Sequence, residues 1–160
     1  MRLILLSADL AIGTYVLAQF LRWSRSPSDF IARLFRTLSL AILWLHVLLA
    51  FGIAHHWSHA AAWEHVAQRT ATAVGWNSGA GLLFNEALLL WWTVDILWSW
   101  LSLSTYTNRS RWWTITLEIY LAFMFFTAAL PFAPPERRWI GVIAFAILII
   151  GWLISFRRRS

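Results

Sequence analysis

The chain has 160 residues, enough for one domain, of which 60% are apolar and 12% charged, against about 45–50% and 25% in soluble proteins. So much apolar surface excludes a soluble globular domain and requires a bilayer as its solvent. The net charge of +6 comes from arginines alone; they flank apolar stretches, as topogenic residues do, and so argue against a nucleic-acid partner, while the absence of cysteine excludes disulfides, thiolate metal sites and a cysteine nucleophile.

The first apolar stretch, 3–21, reads as a retained spanning helix. Asp9 interrupts its core, and no small-x-small cleavage site follows, so a cleaved signal peptide is the weaker reading. Four further stretches, 37–54, 80–104, 112–132 and 139–156, reach the ~18 residues that span a bilayer. They are too long and too little alternating to be strands. The expected fold is all-α: residues 1–160 form a single membrane domain, a bundle of five transmembrane helices with a short interfacial helix on the outer face.

That short helix belongs to the loop 55–79. Ser58 is placed to cap it, and the segment from His59 to Ala71 is rich in helix formers. Glu64, His65, Gln68, Arg69 and Thr72 make one face; Trp63, Val66, Ala67, Thr70 and Val74 make the other.

Arginine asymmetry sets the expected orientation. Arg22, Arg25, Arg33, Arg36, Arg109, Arg111 and Arg157 to Arg159 fall on one side of a five-span chain; Arg2, Arg69, Arg137 and Arg138 fall on the other. The N-terminus is thereby placed outside and the C-terminus in the cytoplasm of an inner or plasma membrane. Arg137 and Arg138 run against the trend. The 13 tryptophans support the same frame. Trp57, Trp63, Trp76 and Trp139 fall at the outer interface, and Trp23, Trp98, Trp100, Trp112 and Trp113 near the inner one.

All five histidines lie between positions 46 and 65: His46, His55, His56, His59 and His65. On a continuous helix, His55 and His56 would each share a face with His59 and could bind one ion. Asp9, His46 and Glu86 fall at a similar depth, ~10 Å below the outer end of their spans. Ionisable groups inside a membrane are expensive and usually face a bundle interior. His46, His55, His56, His59, His65 and Glu86, with Asp9 in support, are therefore the candidate metal ligands. Imidazole and carboxylate suit copper, iron or zinc. Haem fits less well, because the second span alone among the helices carries a histidine within the membrane.

Asp95 and Glu118 form an inner layer. Asp95 stands nine residues from Glu86, half a turn out of phase on a helix, so these two cannot serve one site. Pairing of Asp95 and Glu118 with Arg22, Arg109 or Arg111 is the expected role.

Named chemistries find little support. No His-Glu-x-x-His is present. His55-His56-Trp57-Ser58-His59 resembles one histidine box of the membrane desaturases and hydroxylases, but their further boxes are missing, and their activity is not carried over. The absence of lysine and of a phosphate-binding Gly-Lys loop removes that chemistry too. The leading expectation is a membrane protein with a metal or cofactor site at the outer leaflet, serving redox chemistry or metal handling. A homo-oligomer or an accessory subunit packed against other membrane subunits is the alternative. A proton-coupled transporter ranks third, since no inverted repeat is visible.

Overall fold

The computed structural model describes residues 2–24 and 30–157; Arg25, Arg158 and Arg159, counted above in the arginine asymmetry, lie outside the described residues. The elements are α1 (Arg2–Ser24), α2 (Phe30–Leu49) continued by a π-helical turn (Ala50–Ala54), α3 (His59–Val74), α4 (Gly81–Leu101), a short α5 (Leu103–Thr107), α6 (Arg111–Ala129), a 3-10 turn (Pro135–Arg137) and α7 (Arg138–Arg157). Among the described residues every regular element is helical. Four segments are long and apolar enough to cross a membrane: Arg2–Trp23, Phe30–Ala54, Gly81–Leu101 and Arg111–Ala129. α1 packs most extensively against α2 and also contacts α7, while α4 contacts α2, α3 and α6.

The second span starts at Phe30, seven residues before the expected position 37. Arg33 and Arg36 are therefore residues of α2, not of a loop. They do not end the helix because their heads find acceptors on α4. Arg33 Nη1 donates to the Ser99 carbonyl at 2.7 Å, and its guanidinium lies 4.4 Å from the centre of the Trp100 ring. Arg36 Nη2 donates to Asp95 Oδ2 at 2.8 Å. The third span ends at Leu101 rather than 104, because Ser102 leaves the helical region (φ −148°, ψ 83°). The fourth ends at Ala129 rather than 132; Pro131 has no N–H to continue it and disfavours helix in the residue before it.

The break at Ser102 has a structural product. It carries α5 back toward the bundle, so that Tyr106 is buried and its hydroxyl donates to Asp95 Oδ2 at 3.2 Å. The same hydroxyl accepts a short hydrogen bond from Arg36 Nη1. Trp113 Nε1, on α6, donates to Asp95 Oδ1 at 2.9 Å. Arg109 brings a second positive charge to 3.8 Å from that oxygen and stacks 3.7 Å from the centre of the Tyr106 ring. Asp95 has no exposed surface at all. Its carboxylate thus joins α2, α4, α5 and α6 at one point.

Above this point the core is aromatic. Tyr15 of α1 stacks on Phe125 of α6 with centroids 4.3 Å apart and planes 10° from parallel. Trp92 of α4 meets both rings edge-on, at 6.0 and 6.2 Å. Such pairs add about 0.5–1.5 kcal/mol beyond the area they bury.

Removing one partner of a buried ion pair costs about 3–5 kcal/mol, because the other charge is left stranded. Asp95→Asn is expected to lower the free energy of unfolding in detergent by that order. Leu90→Ala, at a side chain 62% exposed, should leave it nearly unchanged. Equal midpoints for the two variants in a thermal melt would contradict the role given to Asp95.

Candidate functional site

The opposite end of the bundle is hollow. A cavity of about 510 Å³ lies among the first turns of α1, the end of α2, α3, the start of α4, the end of α6 and the start of α7. Asp9, His46, His55, His65, Arg69, Glu86 and Arg137 all contribute to its wall. The depth argument from sequence thus brought Asp9, His46 and Glu86 to one volume, although each has its own partner there.

His46 belongs to α2 and reaches α1. Its Nδ1 lies 3.1 Å from the Ile4 carbonyl and 3.1 Å from Ser7 Oγ. A carbonyl can only accept, so Nδ1 carries the proton and Nε2 keeps its lone pair. Asp9 forms an ion pair with Arg137. Glu86 Oε1 accepts from His59 Nε2 at 2.9 Å, which ties α3 to α4. His55 and His65 face each other edge-on, with ring centres 5.1 Å apart.

The helix expected to align His55, His56 and His59 is broken between Ala54 and His59. The backbone widens into the π-helical turn, and Trp57 N donates back to the Phe51 carbonyl at 2.9 Å. His56 and Trp57 then take left-handed φ values of 48° and 62°, at about 1–3 kcal/mol each for residues with a side chain. The Trp57 ring folds over Gly52, where a Cβ would stand 3.1 Å from it. His56 is exposed and takes no part in the cavity wall. The three histidines therefore do not share a helix face. Among the described residues, no three His, Asp or Glu side chains gather to hold one metal ion.

α3 itself begins where the sequence placed it, with Ser58 Oγ accepting from Ala61 N at 3.2 Å. It extends to Val74, three residues past the helix-prone segment. Its inner side rests on the start of α4, with Ala62 buried. Trp63 covers Gly79 so closely that a Cβ there would lie 2.5 Å from the indole; any larger residue would push α3 off the chamber.

Sequence reasoning missed Arg69 and Arg137 as wall residues. Arg69 lies on the expected polar face of α3, and its guanidinium donates to the Phe132 carbonyl. Arg137 runs against the arginine asymmetry, and its ion pair with Asp9 accounts for it. The inner layer fell largely as expected. Arg22 Nη1 pairs with Glu118 Oε1 at 2.7 Å, and Gln19 donates to Glu118 Oε2 at 2.7 Å. Asp95 does have Arg109 nearby, but Arg36, read as topogenic, is its closer partner.

No family model matches this chain, and no curated protein or solved structure is similar to it.

Partial burial holds the His55 imidazole below its ordinary value of 6.5, and His65 and His56 add to the effect by repelling its charge. The neutral form is thus favoured by the fold. The stabilisation is fully present above pH 6.5 and is lost as pH falls from there through the lowered value of His55. The protection factors of the α3 amides, which divide out the intrinsic pH dependence of exchange, should accordingly fall between pH 7 and pH 5, and His65→Gln should flatten that dependence. An α3 whose protection is the same at both pH values in the native protein would refute it.

Proposed function

We propose that this chain is an integral membrane protein that takes a small ligand into the chamber at the α3 end of its bundle. One observation carries the reading. Ionisable side chains from separate helices line a single volume of about 510 Å³, within the roughly 300–1,000 Å³ of small-molecule sites. Bundles otherwise keep such groups out of the bilayer, and those retained usually serve a ligand or a proton. A tryptophan at Val47, in the chamber wall, should expel the ligand. Mass spectrometry of the protein released from mild detergent reads this directly: a small molecule present with the native chain should be absent from Val47→Trp. An identical complement in both, with Val47→Trp folded, would end the proposal.

A metal ion is the second reading, favoured by the His55/His65 pair and by the lone pair left on His46 Nε2. Copper, iron or zinc would suit these donors, with Glu86 or Asp9 exchanging its present partner for the ion. Elemental analysis of protein made without a histidine tag decides it. Near-stoichiometric metal, lost in the His55→Ala/His65→Ala double variant, is the supporting result; metal-free native protein removes the metal and leaves the chamber.

We further propose that α7 is a fifth span, with the N-terminus outside and the C-terminus in the cytoplasm. Support comes from its 20 residues, ~30 Å at 1.5 Å each, and from the arginine asymmetry. The chain has no cysteine, so single introduced thiols report their side without background. Ser78→Cys should react with an impermeant maleimide on intact cells, and Ser110→Cys only after permeabilisation. The reverse pattern would invert the topology.

A further inference from the structure

We propose that the chamber's ligand is a single-chain amphiphile with an anionic head, a carboxylate or a phosphate ester, bound head-outward against Arg69. This rests on the chamber being a ligand site, as argued above, and adds what the ligand is.

The charges of the wall give the first argument. Asp9 is paired with Arg137, and Glu86 accepts a hydrogen bond from the His59 imidazole. Arg69 donates to a neutral backbone carbonyl, that of Phe132, and among the described residues no carboxylate is paired with it. A guanidinium stays charged and offers five N–H donors in a planar fork, a shape that matches carboxylate and phosphate oxygens. One carbonyl leaves most of that fork unused. His55 and His65, which line the same chamber, add further N–H donors.

The gradient of the wall gives the second. The groups able to bind a head, Arg69, His55 and His65, belong to α3 and the turn before it, and Arg69 and His65 are exposed. Ile12, Leu43, Leu89, Met124 and Phe125, further along α1, α2, α4 and α6, give the same volume an apolar floor. From Leu82 to Leu89 along α4 is ~10 Å, and from Ala54 to Leu43 along α2 is ~16 Å. A polar solute would leave this floor without an apolar partner, and a cationic amphiphile would meet Arg69. The volume of about 510 Å³ lies within the roughly 300–1,000 Å³ of sites that take one small molecule, the size class of a single-chain amphiphile and not of a bilayer phospholipid.

The test is equilibrium binding to the full chain in a neutral detergent. The probes share one tail: palmitate, hexadecyl phosphate, hexadecanol and hexadecyltrimethylammonium. Either anion should bind on the order of tenfold more tightly than the alcohol, and the cation more weakly still. Arg69→Gln should bring the anions to the level of the alcohol, and Arg69→Lys should restore much of the difference. Acetate and inorganic phosphate, which lack a tail, should not compete. Alcohol binding equal to that of the anions, with Arg69→Gln silent, would overturn the anionic head while leaving the chamber reading intact. Strong competition by free phosphate would overturn the amphiphile in favour of a free anion. Failure of every probe, together with no small molecule displaced by Val47→Trp, would bring down both.

Discussion

A carboxylate with no exposed surface, inside a bundle that crosses a bilayer, must find its charge and its hydrogen bonds within the protein. Asp95 sets that constraint, and much of the arrangement around it follows. Arg36 reaches it only as a residue of α2, so α2 includes a segment whose arginines would otherwise mark a loop. Tyr106 has to return from beyond the end of α4, so α4 stops at Ser102 and α5 forms. Trp113 has to face inward from the first turn of α6. Apolar side chains cannot impose such specificity here, because lipid tails solvate them as well as neighbouring helices do. A buried carboxylate with both oxygens hydrogen-bonded can, since any other packing would strand it.

The two ends of the bundle solve opposite problems. At the Asp95 end, arginines and acids close on each other: Arg36 and Arg109 on Asp95, Arg22 on Glu118. At the α3 end the pairs sit around a space instead of filling it. The π-helical turn and the two left-handed residues after it end α2 and start α3, which packs against α4. His59 and Glu86 then fasten α3 to α4. Backbone strain of this kind persists only where surrounding contacts enforce it, and it clusters at ligand sites.

That four long apolar helices follow one another was legible because apolar length decides them; α5 was not. Their ends were less so. A reading that stops a span at its first arginine cannot know that Asp95, 59 residues on from Arg36, waits to receive it. Depth along each helix was also legible: Asp9, His46 and Glu86, read at one level, line one cavity. Partner choice was not. Spacing suggested a shared face for His55, His56 and His59, and the left-handed turn at His56 and Trp57, set by tertiary packing of an indole on Gly52, removed it. Arg137 shows the converse: an apparent exception to a charge rule is a residue with an acidic partner, Asp9.

The Arg36–Asp95 pair also bears on biogenesis. α2 leaves the ribosome well before α4, and for that interval its guanidinium has no carboxylate. An arginine at the centre of an inserting helix is disfavoured by about 2.5–3.5 kcal/mol. Arg36 lies about 9 Å from the start of α2, far enough from the end to feel part of that penalty and near enough to reach headgroups by extending its side chain. α2 would therefore sit shallow at first and settle only when Asp95 arrives, so that the depth of the second helix is fixed by the synthesis of the fourth.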